Sequence, residues 1–89
     1  MNRKTVLFSG DVQGVGFRYT AQHLAAPFKV TGYVRNLSDG RVELVIEGAD
    51  DQVDGLIHAI QQRMAEYIRR TDAQVSPATG EFTGFTIRH

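Results

Sequence analysis

A glycine-rich segment, Gly10 to Arg18, holds the residues whose types and spacing could do chemistry. Its glycines fall between an apolar run and the start of a helical pattern, so they mark a loop that opens into a helix. Such a loop can aim consecutive backbone N–H groups inward, and the free N–H groups of the helix start add positive charge. We therefore predict an anion nest, suited to phosphate, along Gln13, Gly14, Val15, Gly16 and Phe17.

Arg18 lies in the first turn of that helix, where a cation opposes the helix macrodipole unless an anion sits between them. Its guanidinium is always charged and offers a planar fork of donors that suits two phosphate oxygens. An alternative is that the glycine-rich turn serves only as a tight connection and that the first-turn arginine is only a surface residue.

The elements around this loop follow from hydrophobic periodicity. A strand is predicted at Thr5–Ser9, and a helix follows, with an apolar stripe at Phe17, Ala21, Leu24, Ala25 and Phe28. Pro27 is expected to end or kink this helix and to disfavour the helical conformation at Ala26. Two alternating strands, residues 30–35 and 41–47, flank a hairpin turn at Asp39-Gly40.

The second half of the chain predicts another helix and two more strands. Asp50 and Asp51 can cap a helix whose apolar stripe is Val53, Leu56, Ile57, Ile60 and Met64. A strand is expected between Arg69 and Val75, then a loop at residues 76–80 and a last extended segment with Phe82, Phe85 and Ile87. The order βαββαβ predicts an α+β ferredoxin-like sandwich: a mostly antiparallel sheet, two helices on one face and an extra C-terminal edge strand.

Asn36 ends the second strand. A right-handed crossover makes the first two strands parallel, and their carboxyl ends then share one edge of the sheet, so Asn36 is expected near the Gly10–Arg18 loop. An alternative is that the Asn36 side chain only makes hydrogen bonds in the following turn.

Composition limits the other possibilities. The 89 residues, 42% of them hydrophobic, suit a single domain spanning 1–89. Ten basic and ten acidic side chains give no net charge, so no nucleic-acid or membrane partner is expected. Without cysteine or a signal sequence, a cytoplasmic location is expected. The three histidines, His23, His58 and His89, lack the spacing of metal ligands, and we interpret them as surface or boundary residues. We interpret Glu43 and Glu47 as the solvated face of the third strand.

Three stretches resemble the acylphosphatase family. Residues 10–18, GDVQGVGFR, are similar to its first signature, residues 32–42, GYVRNLSDGRV, to its second, and Thr79-Gly80-Glu81-Phe82 to its C-terminal segment. The resemblance implies metal-independent hydrolysis of acyl phosphates to a carboxylate and inorganic phosphate, with no cofactor. It also implies that Arg18 and the loop amides bind the phosphate and that Asn36 orients the attacking water. Phosphate would be a product or inhibitor, and a monomer is expected.

Two alternatives belong to other functional classes. RNA-recognition domains have the same fold, and in them basic and aromatic residues on the sheet face bind RNA bases by stacking. In this chain the comparable residues, Gly16-Phe17-Arg18-Tyr19, lie at a loop–helix junction, and the third strand has glutamates on its exposed face. The other alternative is a phosphate-binding module without turnover. A copper-type site would want cysteines, which the chain lacks.

Overall fold

The computed structural model describes residues Met1 to His89 and contains seven elements. In chain order they are β1 (Asn2–Gly10), α1 (Phe17–Ala25), β2 (Val30–Asn36), β3 (Val42–Gly48), α2 (Asp50–Arg63), β4 (Ile68–Pro77) and β5 (Phe85–Arg88). Neither helix has both the length and the apolar character needed to cross a membrane.

The strands form one sheet in the order β4-β1-β3-β2-β5. Strand β3 runs antiparallel to both β1 and β2, so β1 and β2 point in the same direction although they are not neighbours. Strand β5 pairs in parallel with β2 at the edge. The predicted ferredoxin-like order with an extra edge strand is therefore confirmed, and Gly10 and Asn36 end their strands at the same end of the sheet.

The core lies between the helices and one face of the sheet. Alternate residues of the inner strands, Val6, Phe8, Val34, Leu44 and Ile46 among them, are fully buried against the apolar stripes of α1 and α2. The rings of Phe8 and Phe17 lie 5.1 Å apart. Because Phe8 is near the end of β1 and Phe17 begins α1, this contact fixes both ends of the glycine-rich loop.

The end of α1 differs in detail from the prediction. The helix stops at Ala25, and Phe28 lies beyond it, although its ring still packs on the core beside Gly55. The helix ends before Pro27, as expected, but Ala26 has φ −54° and ψ −44°, the helical conformation that Pro27 was expected to disfavour. The Ala26 N–H bonds to the His23 carbonyl, which tightens the last turn and keeps the backbone helical there.

Strand β4 is longer than its sequence predicts. It extends to Pro77 and takes in Ser76 and Pro77, which were expected in a loop. Its residues pair with β1 from Gly10 back to Asn2, so the neighbouring strand supplies hydrogen bonds along the whole segment. Pro77 is tolerated because it ends an edge strand, where a missing N–H costs little.

The face of the sheet opposite the helices is crossed at one end by residues 78–84, which we call the crossing segment. It leads from β4 at one edge to β5 at the other. The interpretation of Glu47 as a solvated residue is wrong: Glu47 is 5% exposed, and its carboxylate accepts hydrogen bonds from the N–H groups of Thr79 and Gly80, both 3.0 Å, and from Arg3, 2.7 Å. Glu43 is partly buried and accepts hydrogen bonds from Tyr33 and Arg35.

Burial alone would raise the pKa of the Glu47 carboxyl, but the N–H donors of the crossing segment and the Arg3 guanidinium outweigh it and lower the pKa to about 2. The carboxylate therefore stays ionised under the crossing segment at any ordinary pH. This anchor holds the chain on the path that ends with β5 beside β2.

Candidate active site

The loop between β1 and α1 has the backbone of an anion nest. Gly14 and Gly16 adopt left-handed conformations with φ of 79° and 76°, while Val15 between them does not. No atom lies within 4 Å of where a Cβ would stand on either glycine, so the conformation and not crowding requires glycine here. None of the N–H groups of residues 14–18 donates to a protein acceptor. Unpaired donors in such alternating conformations form an anion-binding concavity.

The Arg18 guanidinium makes no ion pair. Six of the ten basic side chains pair with carboxylates, namely Arg3, Lys4, Arg35, Arg41, Arg69 and Arg70. Arg18 instead has its Nη1 atom 3.4 Å from the Arg88 carbonyl oxygen and 3.2 Å from Nδ1 of His89, at the end of β5. Its guanidinium therefore lies against the end of β5 without a carboxylate partner, and its positive charge remains uncompensated.

Asn36 faces the same cleft from the sheet. It shares with Val34 the face of β2 that lies under the helices, and Val34 is fully buried. The alternative was that the Asn36 side chain only makes hydrogen bonds in the following turn, but the hydrogen bonds of that turn come from other groups. The Leu37 N–H bonds to the Arg41 carbonyl at 2.8 Å, and the Asp39 carboxylate accepts from the Arg41 N–H at 3.1 Å.

Gln13 has a role that its sequence position does not reveal. Its side-chain amide donates to the carbonyl oxygens of Leu37, 2.7 Å, and Arg41, 2.9 Å. It thereby ties the glycine-rich loop to the β2–β3 hairpin just beyond Asn36. Only the backbone N–H of Gln13 is left for an anion, and no local sequence signal indicates a contact between residues so far apart.

The cleft that these residues form has a volume of about 160 Å³. The structure brings together Gly14, Gly16, Phe17, Arg18 and Asn36, as the sequence predicts, but Gln13 and Val15 do not line the cleft. Val12 and Tyr19 line it as well and were not singled out. All three histidines are exposed, and only His89 reaches the site.

The electrostatics of the cleft favour an anion with several oxygens. Unpaired N–H groups and an uncompensated guanidinium belong to the lining of a space too small for a large ligand, and no carboxylate side chain lines it. Asn36 adds an uncharged amide, which can orient a water molecule but cannot act as a base at neutral pH. The arrangement can bind a phosphoryl group and direct a water toward it.

Comparison with known proteins identifies the family of this chain. The family model described as Acylphosphatase matches residues 4–87. An acylphosphatase from Methanospirillum hungatei is 41% identical over 90 residues, covering 99% of this chain and 98% of that protein. An acylphosphatase from Methylococcus capsulatus is 46% identical over 89 residues, which cover 98% of this chain and 96% of that protein. The crystal structure of acylphosphatase from Bacillus subtilis superimposes with a TM-score of 0.89 at 29% identity, covering both chains completely. The chain belongs to the acylphosphatase family.

Proposed function

We propose that this enzyme binds the phosphoryl group of an acyl phosphate in the cleft, through Arg18 and the amides of residues 13–18, and that Asn36 orients the water that attacks phosphorus. The observation that carries the proposal is the uncompensated Arg18 guanidinium, which lines one small cleft together with the nest glycines and Asn36. A merely structural loop would not need to leave these donors and this charge unpaired.

Hydrolysis of an acyl phosphate requires little from the enzyme except positioning of the water and stabilisation of negative charge. As the water oxygen bonds to phosphorus, the bond from phosphorus to the acyl oxygen breaks, and its electron pair leaves with a carboxylate. Such a carboxylate has an aqueous pKa of about 4, so it departs without a general acid. The remaining task is to stabilise negative charge on the equatorial oxygens, for which Arg18 and the loop amides are suited.

The proton of the attacking water needs an acceptor. The asparagine amide cannot take it, and no carboxylate side chain lines the cleft. His89 contacts Arg18 but is not among the residues that line the cleft. We therefore assign the proton to a phosphoryl oxygen of the substrate. A turnover rate that changes little between pH 5 and pH 8 supports this assignment, whereas a sharp dependence on one enzyme group of near-neutral pKa contradicts it.

The test is hydrolysis of benzoyl phosphate in the presence of excess chelator, with Arg18→Ala beside Arg63→Ala. Arg63 also has no carboxylate partner but lies at the end of α2, so it controls for the loss of one positive charge. We expect the unmutated protein and Arg63→Ala to turn over without metal and Arg18→Ala to lose activity by about 100-fold or more. Equal activity in the two variants would refute the proposal.

The remaining expectations are part of the same proposal. The enzyme acts as a monomer in the cytoplasm, and inorganic phosphate is both its product and a competitive inhibitor. The absence of cysteine supports the cytoplasmic location, because a chain without disulfides needs no oxidising compartment. Light scattering at working concentration would contradict the monomer if it gave twice the mass of 9.9 kDa.

A further inference from the structure

Tyr19 is the one large, strongly exposed side chain on the wall of the cleft. Its exposed fraction is 69%, and the only other large hydrophobic residues so exposed, Met1 and Val75, do not line the cleft. Single exposed apolar residues are common and need no explanation in themselves. Tyr19 differs because it follows Arg18 directly in α1 and stands at the rim of the phosphate-sized space.

The cleft is too small to enclose an acyl phosphate whose acyl group is large. Its volume of about 160 Å³ is well below the roughly 300–1,000 Å³ of pockets that bury a drug-sized ligand. With the phosphoryl group and the attacking water inside, a large acyl group has to extend past the rim. The part of the substrate that differs from one acyl phosphate to another therefore lies at the rim, where a protein side chain can contact it.

The direction in which the acyl group leaves is set by the attack. In-line displacement places the leaving oxygen opposite the attacking water. Asn36, which orients that water in the proposed function, lines the cleft from β2, whereas Tyr19 lines it from α1. The acyl group accordingly points away from the sheet, toward the first turn of α1.

We propose that the Tyr19 ring packs against the acyl group and makes the enzyme prefer acyl phosphates with aromatic or extended apolar acyl groups over those with small ones. The inference rests on the proposed function. Tyr19 is a specificity-determining residue, remote from the reacting bond, so its contact is equally strong in the ground and transition states. Such uniform binding lowers KM and leaves kcat unchanged.

The experiment compares benzoyl phosphate with acetyl phosphate in the unmutated protein and in Tyr19→Ala, Tyr19→Phe and Val75→Ala. An aromatic contact is worth about a threefold to tenfold difference in affinity. We expect Tyr19→Ala to raise KM for benzoyl phosphate by that factor, with kcat within twofold and no change for acetyl phosphate. Tyr19→Phe, which keeps the ring, and Val75→Ala, which removes exposed apolar surface elsewhere, are expected to match the unmutated protein.

The outcomes separate this inference from the proposed function. If Tyr19→Ala leaves both KM values unchanged, raises both by the same factor, or lowers kcat instead, Tyr19 does not read the acyl group and the inference is overturned while the hydrolase remains. If the unmutated protein hydrolyses neither substrate, the proposed function itself fails and the inference fails with it.

Discussion

Replacing Glu47 by glutamine tests how the crossing segment is held. The pKa of the Glu47 carboxyl is lowered from 4.5 to about 2 because hydrogen bonds from Thr79, Gly80 and Arg3 outweigh the opposing effect of burial. That difference corresponds to at most about 3 kcal/mol of stability at neutral pH. Because the folded-state pKa is the lower one, the stabilisation is complete above about pH 4.5 and is lost as the pH falls toward 2.

We expect Glu47→Gln to lower the free energy of unfolding by about 2–3 kcal/mol at pH 7, which for a chain of this size lowers Tm by roughly 10–20 °C. Urea unfolding followed from pH 7 to pH 3 measures the effect. The gap between the two proteins is expected to narrow by roughly half at pH 3, because the Glu47 carboxyl is then mostly protonated in the unfolded chain but still mostly ionised in the folded protein.

Glu66→Gln provides the matched control, because Glu66 is exposed and makes no ion pair, and it is expected to change stability by less than about 0.5 kcal/mol. Two results would refute the reasoning about Glu47. One is a variant as stable as the unmutated protein at pH 7. The other is a gap that stays constant with pH, since that would mean a loss of packing and not of charge.

Two further predictions concern the loop itself. Gly16→Ala places a side chain at φ 76°, which is expected to cost about 1–2 kcal/mol of stability and, by relaxing the nest, to weaken phosphate binding in a calorimetric titration. Gly80→Ala, at φ 74° and equally open, is expected to cost similar stability without affecting phosphate, so equal affinities in the two variants would argue against the nest. Gln13→Ala removes both hydrogen bonds to the carbonyls of Leu37 and Arg41. We expect chemical unfolding to show a free energy of unfolding lower by about 1–2 kcal/mol, and enzyme kinetics to show a lower kcat. An unchanged kcat would show that catalysis does not need these hydrogen bonds between the loop and the hairpin.

The sequence was sufficient for the parts of the site that follow from local rules. Glycines before a helix predict a loop with free N–H groups, and strand direction predicts that Asn36 ends beside it. The structure places Arg18 and Asn36 in one cleft accordingly. Their roles in binding and hydrolysis stay predictions.

The parts that the sequence did not predict depend on contacts between distant segments. The alternation of β3 assigns Glu47 to the face away from the helices, but it cannot indicate that residues 78–84 cross that face and bury it. The polar composition of β4 predicts a shorter strand than the structure has. The strand extends further because β1 supplies hydrogen bonds along its whole length. Gln13 is similar: its role is defined by carbonyl groups of a hairpin that folds against it from later in the chain.

The central claim is that Asn36 acts on the water and not on the phosphate, and Asn36→Ala tests it most directly. The measurement is kcat for benzoyl phosphate together with the Kd of inorganic phosphate in the same variant. We expect kcat to fall by about 100-fold or more, as for a misplaced reactant, while Kd stays within about twofold of the unmutated value. A variant that keeps its kcat, or that loses phosphate affinity in step with kcat, would contradict the division of labour between Arg18 and Asn36.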